Sequence, residues 1–447
     1  MKEKEQIQLS DSFTYARLVR FVMPSVMMMI FTSIYSVVDG LFVSNFAGKT
    51  QFSAINLMMP LLIILGAVGF MIGTGGTAIV AKTMGMGDRK LANEYFSLLI
   101  YVTIGAGVAL SVLGIAFARP VAHLLGAEGD MLDYCVVYSR IVLIALPFFM
   151  LQNIFQNFFI TAEKPRIGLF VTLSAGITNM VLDALFVALL GWGLEGAAAA
   201  TAISQTVGGA IPLVYFSMKN SSTLRLGKTK MYGKMLAFTC INGSSELMSN
   251  ISMSVVTIFY NFQLMRFAGN DGVAAYGAIM YVAFIFIAIF IGFVIGASPI
   301  FSFHYGAGNR PELKNMFKKS LIITSGVGVA MTLLALILCN PLCKIFVGYD
   351  QMLYEMTRRG FIIYAFSYCL TGLNILGSAI FTALNNGAVS AAISFLRTLV
   401  FQCAVVLILP LFFELDGVWF SIIVSEILSL TVTASLIIAN RKKYGYM

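Results

Sequence analysis

Long apolar segments recur along the whole of this sequence, and they constrain its fold more than any other feature. A helix needs about 20 apolar residues to cross the hydrocarbon core of a bilayer, and twelve segments of this kind can be distinguished. The predicted spans are 18–44, 53–81, 94–118, 132–160, 167–190, 196–217, 236–265, 272–303, 316–339, 353–383, 388–411 and 417–439. The sequence therefore predicts an all-α integral membrane protein with twelve transmembrane helices.

The composition and the placement of charge agree with a bilayer as solvent. Only 11% of the 447 residues are charged, whereas a soluble domain carries about a quarter. A net charge of +9 can indicate nucleic acid binding, but here the basic residues stand between the apolar segments. With the N-terminus inside, 21 of the 29 Lys and Arg fall on inner segments, seven fall on outer ones, and Arg397 lies within a span. The positive-inside rule then predicts that both termini are cytoplasmic, and no nucleic acid partner is expected.

An internal repeat divides the chain into two halves. The sequence GMGDRKLANEYF around Gly85 and the sequence GAGNRPELKNMF around Gly306 lie 221 residues apart. The same offset relates further pairs without a gap: Gly75 and Gly296, Thr103 and Thr324, Gly105 and Gly326, Pro120 and Pro341, Gly196 and Gly417. Six helices per repeat preserve the direction of the chain across the membrane, so we predict two parallel lobes related by a pseudo-twofold axis along the membrane normal. The predicted domains are residues 1–218, a cytoplasmic linker at 219–234, and residues 235–447.

Four carboxylates lie within the predicted spans, and each is a candidate for function, because a charge at the bilayer centre costs about 2.5 to 3.5 kcal/mol. In the first half, Asn179 and Asp183 are four residues apart and share a helix face. Counted from the outer ends of their spans, Asp183, Thr201 and Asp39 come to nearly the same depth, and Tyr35 lies one turn below Asp39. The sequence thus predicts a polar cluster built by three helices.

This cluster suits cation coupling. Burial and like charge both disfavour ionisation of neighbouring carboxylates, so at least one of them can hold a proton near neutral pH. Sodium is a second option, because Asp, Asn and Thr provide the oxygen ligands that a hard cation prefers. We therefore predict a coupling site for H⁺ or Na⁺, with no other cofactor, formed by Tyr35, Asp39, Asn179, Asp183 and Thr201. A role of Asp39 and Asp183 in helix packing alone remains open.

In the second half, Glu246, Arg397 and Glu426 are predicted near mid-membrane and are candidates for substrate binding. A pair between Arg397 and Glu426 would lower the cost of both charges and leave Glu246 to meet a cationic substrate. A three-carboxylate site or a purely structural role for Glu426 is equally open. Prolines inside spans, Pro24, Pro147 and Pro299, predict kinks in helices that move.

Several of these motifs resemble the multidrug and toxic compound extrusion (MATE) transporters over the whole chain. The resemblance rests on the two six-helix lobes, on PSVMMMIFTSIYSVVDGLFVSNFAG in span 1, on the GMGDR and GAGNR loops, and on NMVLDALF and GAAAATAISQ in spans 5 and 6. The chain is similar to the bacterial branch with the DinF-like and MepA-like exporters. This implies antiport of cationic or amphipathic small molecules against protons or sodium, through a V-shaped cleft, by a monomer in the bacterial plasma membrane.

The resemblance also implies roles for individual residues. In DinF-like members the cation site uses an aspartate of helix 1, an Asn and an Asp of helix 5 and a Thr of helix 6, which correspond here to Asp39, Asn179, Asp183 and Thr201. Tyr35 matches a tyrosine near that site, and Pro24 matches a proline at the bend of helix 1. Other members carry a glutamate on helix 7, to which Glu246 corresponds by position only, since INGSSELMSN departs from their proline-containing pattern.

Three other classes of function, a flippase, an enzyme and a primary pump, agree less well with the sequence than an antiporter does. A flippase for a lipid-linked sugar or peptidoglycan precursor is the alternative from the same superfamily, but it would be expected to line its cleft with basic residues, and only Arg397 is clearly intramembrane. An enzyme or a primary pump is not indicated, because the sequence contains no HExxH, no GxSxG and no GxxxxGK[ST] motif.

Overall fold

The computed structural model describes residues 7–46 and 49–447, and these ranges are helical with no β-strand. The helices are α1 (Tyr15–Phe46), α2 (Lys49–Gly85), α3 (Arg89–Leu124), α4 (Gly129–Ile144), α5 (Leu146–Thr161), α6 (Pro165–Asp183), α7 (Gly193–Ser217), α8 (Gly233–Gly306), α9 (Arg310–Val347), α10 (Gln351–Ala365), α11 (Tyr368–Ala383), α12 (Gly387–Phe395), α13 (Gln402–Ile408) and α14 (Pro410–Tyr444). Residues 1–6, with which the predicted first lobe begins, lie outside the described part.

The helices of the described ranges account for twelve membrane spans. Nine helical segments are long and apolar enough to cross a bilayer, and the bent pairs α4–α5 and α10–α11 make two more. Helix α8 has 74 residues and is interrupted at Gly269, where φ is 60° and ψ is −147°. At 1.5 Å per residue a continuous helix of this length would be about 110 Å long, so α8 contains two spans. The predicted count of twelve is confirmed for the described residues.

The fourth and tenth spans are bent, although their sequences differ at the bend. Helices α4 and α5 meet at 52°, and α10 and α11 meet at 47°. Pro147 stands in the first turn of α5, as predicted for a kink. Its repeat partner at the 221 offset is Tyr368, so the second bend forms without proline. There, short-range bonds from Phe366 N to Ile363 O and from Ser367 N to Tyr364 O replace the regular helical pattern.

Two spans contain π-helical segments, which lie beside the charged residues singled out in the sequence. Residues Ala184–Leu189 follow Asp183 directly and complete the fifth span. Residues Leu396–Phe401 contain Arg397 and join α12 to α13 in the eleventh span. Segments of this type are rare overall, but those that occur are often found at functional sites. Both occur in the same span of their repeats.

The segments around Phe13 and Tyr446 both pack at the beginning of α9 and so lie on one side of the bundle, called the terminal side below. Phe13 N donates to Glu312 Oε1 at 2.8 Å. From the other end of the chain, the ring of Tyr446 lies 5.1 Å from that of Phe317. The segment 218–232, between α7 and α8, is anchored to α3, with Arg225 N donating to Asn93 Oδ1 at 2.6 Å.

The two lobes touch on the terminal side through glycines that are related by the repeat. A Cβ at Gly85, the last residue of α2, would overlap the carbonyl oxygen of Phe303. A Cβ at Gly306, the last residue of α8, would overlap the carbonyl oxygen of Lys82. Residues 82 and 303 are themselves 221 apart, so the contact is symmetric. The backbones of the two lobes thus meet directly and close the bundle on the terminal side.

Candidate ion-coupling site

The site is built where α1 and α6 approach each other closely. Gly176 lies on α6, and a Cβ there would be 2.5 Å from Phe31 Cε1 and 2.8 Å from Tyr35 Cδ1. The absence of a side chain at this position lets the aromatic rings of α1 rest on the α6 backbone. Asp39 is one turn beyond Tyr35, and Asp183 is two turns beyond Gly176, so the close approach brings the two acidic side chains to the same level.

Asp39, Asn179 and Asp183 come together as predicted from their spacing. The carboxyl group of Asp39 lies within interaction range of the side chains of both Asp183 and Asn179. Asp183 is fully buried at 0% exposure, and Asn179 is buried as well. Asp39 is half-buried, with its Oδ1 atom enclosed. These three residues therefore form one cluster in the N-terminal lobe.

Several enclosed oxygen atoms of this cluster have no hydrogen-bond donor among the described residues. Four enclosed acceptors receive no hydrogen bond from the described residues: Asp39 Oδ1, Asn179 Oδ1, Asp183 Oδ1 and Asp183 Oδ2. The salt bridges between described residues include neither carboxylate. Buried acceptors and buried charges are costly unless they are satisfied. A proton shared between the carboxyl groups, or a cation bound by the oxygens, would satisfy them.

Two residues beside this cluster, Gln152 and Tyr138, were not identified from the sequence. Tyr35 faces Asp39 and interacts with the side chain of Gln152 on α5. Tyr138 on α4 is buried within electrostatic range of Asp39 and Asp183. Gln152 belongs to a run of four buried amides in the fourth span, which was the available signal: Gln152, Asn153, Gln156 and Asn157. Amides so deep in an apolar segment need a polar neighbourhood.

Two other predictions from the sequence, Thr201 as a member of this site and Pro24 as a bend in α1, stay predictions. Thr201 is half-buried on α7, which packs against α6, and its place in the site stays a prediction. Pro24 lies inside α1, which runs on as one helix from Tyr15 to Phe46. Its role as a bend in the transport cycle is likewise a prediction.

In the C-terminal lobe, the predicted pairing of Arg397 with Glu426 is observed. Arg397 Nη2 donates to Glu426 Oε1 at 2.7 Å, and Arg397 Nε lies 3.1 Å from both carboxylate oxygens. Asn374 Nδ2 donates to Glu426 Oε2 at 2.6 Å. Glu426 is 1% exposed and the Arg397 side chain is 16% exposed. The paired arrangement, rather than a three-carboxylate one, is therefore present, and a part for the pair in substrate binding stays a prediction.

Glu246 stands apart from these groups. It is half-buried on α8, and its carboxylate takes part in none of the salt bridges between described residues. Its backbone carbonyl accepts a hydrogen bond from Asn250 Nδ2 at 2.8 Å. A carboxylate within a span and without a basic partner remains a candidate for meeting a cationic substrate.

Comparison with known proteins places this architecture in a family. The chain is 23% identical to the multidrug export protein MepA of Staphylococcus haemolyticus over 95% of this chain and 94% of that protein, and 24% identical to MepA of Staphylococcus aureus over 98% and 96%. A crystal structure described as the outward-facing conformation of a multidrug resistance MATE family transporter superposes with a TM-score of 0.92, at 20% identity, over 99% of this chain and all of that one. The sequence profile of the MatE family matches residues 24–185 and 247–408, once in each lobe, and the chain therefore belongs to the MatE family.

Proposed function

We propose that this protein is a secondary antiporter that exports cationic or amphipathic small molecules in exchange for protons or sodium. The observation that carries the proposal is the facing pair Asp39 and Asp183, held in one lobe without a basic partner among the described residues. The similar Staphylococcus proteins are named as multidrug exporters, which supports transport of varied small molecules rather than catalysis.

The arrangement of the lobes suits alternating access. The bundle is closed on the terminal side, where Gly85 and Gly306 meet the opposite lobe. The excess of Lys and Arg on this side supports its assignment to the cytoplasm, and a bacterial plasma membrane agrees with the sources of the similar exporters. The closed side would then face the cytoplasm, and substrate uptake from within would require the lobes to separate there.

A flippase for a lipid-linked precursor is less well supported. Such a substrate carries a pyrophosphate group, which needs free cationic side chains in the cleft. Arg397 is the basic residue predicted within a span, and its guanidinium group is occupied by Glu426. Because Glu426 already neutralises the charge of Arg397, this pair attracts a second anion only weakly.

Dye efflux from proteoliposomes tests the proposal. Vesicles containing the purified protein are loaded with ethidium, and a proton gradient or a sodium gradient is imposed separately. We expect at least one gradient to drive dye movement against its concentration, while protein-free vesicles show none. If neither gradient moves ethidium but fluorescent lipid-linked saccharide crosses the bilayer, the flippase is the correct function.

Glu246→Gln is expected to weaken the binding of ethidium about tenfold, which corresponds to about 1.4 kcal/mol, because it removes the negative charge that would face the cationic dye. Fluorescence titration of the purified protein measures the dissociation constant. Glu128→Gln is the matched control, since Glu128 is exposed and its side chain makes no capping hydrogen bond. An unchanged dissociation constant in Glu246→Gln would remove this residue from the binding site.

A further inference from the structure

Each lobe carries a polar cluster within its spans, but the two clusters are built from different spans, with only spans 5 and 11 equivalent, and they differ in charge. In the N-terminal lobe, spans 1 and 5 contribute Asp39, Asn179 and Asp183. In the C-terminal lobe, spans 10, 11 and 12 contribute Asn374, Arg397 and Glu426. The 221 offset relates four of these positions to dissimilar residues, Asp39 to Tyr260, Asp183 to Ala404, Gly176 to Arg397 and Gln205 to Glu426, whereas Asn374 has the identical residue Asn153 as its counterpart. The scaffold is duplicated, whereas one cluster holds two acids and the other holds an acid with a base.

The opposite charges of Arg397 and Glu426 neutralise each other within the C-terminal lobe. The guanidinium fork meets the carboxylate through both Nε and Nη2, and such a bidentate pair is both stronger and more directional than a single contact. Asn374 donates to the same carboxylate and also to the Glu426 carbonyl oxygen, at 3.0 Å. In this conformation Glu426 therefore has its counter-ion within its own lobe.

The N-terminal cluster has no such neutralising partner among the described residues. Its enclosed acceptor oxygens receive no hydrogen bond from the described residues, and neither acid joins a salt bridge among them. Removing such charges from water costs several kcal/mol per ion unless a counter-ion accompanies them. The carboxylates of the N-terminal lobe therefore need a cation or a proton from solution. In the C-terminal lobe, Arg397 already neutralises Glu426.

We propose that Arg397 is a built-in counter-ion that takes, in the C-terminal lobe, the place of the exchangeable cation, so that ions are loaded and released by the N-terminal lobe alone. The inference rests on the proposed antiport. Arg397 acts through Glu426 and is in this sense a positioning residue, which limits the number of ions exchanged for each substrate molecule.

The first test measures the number of cations counter-transported per ethidium molecule, from the gradient at which net dye flux reverses. In Arg397→Gln, Glu426 has lost its counter-ion and must recruit a proton or sodium ion, so the ratio is expected to rise by about one cation per dye molecule. Adding Glu426→Gln removes that charge, and the ratio is expected to return to the parent value. Arg397→Lys keeps the positive charge and should leave the ratio as it is.

An unchanged ratio in folded Arg397→Gln would overturn the proposal, because a salt bridge with a purely structural role does not change the number of exchanged ions. A second measurement covers the case in which this variant fails to fold. The Asp39→Asn/Asp183→Asn protein keeps Arg397, and radiolabelled sodium and proton uptake are measured before and after ethidium addition. We expect no dye-displaceable cation, and any such cation would reveal an exchangeable site elsewhere. Failure of the antiport itself is recognised separately, since the parent protein would then show no gradient-driven flux.

Discussion

Asp183→Asn is expected to reduce gradient-driven efflux of ethidium about a hundredfold, because it removes the negative charge that ties ion occupancy to the conformation of the lobes. Coupling free energies between two sites are typically about 1 to 3 kcal/mol, or roughly 5- to 150-fold. Asp183 is fully buried and interacts directly with Asp39, so we place its effect near the upper end. Asp39→Asn, at a half-buried position, is expected to act in the same direction.

Loss of coupling can be distinguished from loss of folding. Asparagine has nearly the same shape as aspartate, and its amide can donate to the acceptors that lack a partner at this site. Thermal stability of Asp183→Asn in detergent is therefore expected to be at least that of the parent. Asp133→Asn serves as control, because Asp133 forms an exposed ion pair with Arg119 at 3.4 Å, and such pairs contribute little. Retention of gradient-driven accumulation in both Asp39→Asn and Asp183→Asn would contradict the proposed coupling site.

The parts of this site that follow from helical periodicity could be predicted, and the parts that depend on packing could not. Asn179 and Asp183 share a face because they are four residues apart, and the depth of Asp39 follows from its distance to the end of the span. The contribution of Tyr138 depends on how α4 packs against α2 and α7, which no local pattern encodes. Arg397 and Glu426 were predicted to pair from the cost of isolated charges, since each needed a partner at the same depth.

The same distinction applies to the fold. Twelve spans and two parallel lobes follow from apolar length and from an ungapped repeat. The bend at Tyr368 lacks the proline that marks its counterpart at Pro147, and it is maintained by backbone hydrogen bonds. The π-helical segments depend on one additional residue per turn near Asp183 and Arg397, and neither composition nor hydrophobic periodicity registers such a local change.

Gly85→Ala and Gly306→Ala are each expected to lower the initial rate of ethidium efflux about tenfold or more by preventing closure on the terminal side. At both positions the added Cβ overlaps a backbone carbonyl oxygen of the other lobe. Backbone atoms within helices cannot rotate away as a flexible side chain can, so the lobes must move apart. A strain of about 5.5 kcal/mol would shift a two-state equilibrium from 99:1 to 1:99, and a smaller strain already depopulates the closed state.

The repeat also supplies the matched control for this prediction. Gly105 and Gly326 are related by the same 221 offset and lie inside α3 and α9, but a Cβ at either position meets no atom within 4 Å. Alanine there is expected to preserve transport and to stabilise the helix by up to about 1 kcal/mol. Comparing the two pairs separates an effect of lobe contact from the general effect of losing a glycine.

Opening can be measured directly with a cysteine introduced at Thr239, in a protein without other cysteines. Thr239 is fully buried on α8, and its carbonyl oxygen faces Gly75 of the other lobe. If Gly85→Ala separates the lobes on the terminal side, a membrane-impermeant maleimide should label this cysteine faster from that side. Closure at Gly85 and Gly306 and protection of residue 239 depend on the same surface between the lobes. Slow efflux with unchanged labelling would therefore mean that the substitution acts elsewhere in the cycle.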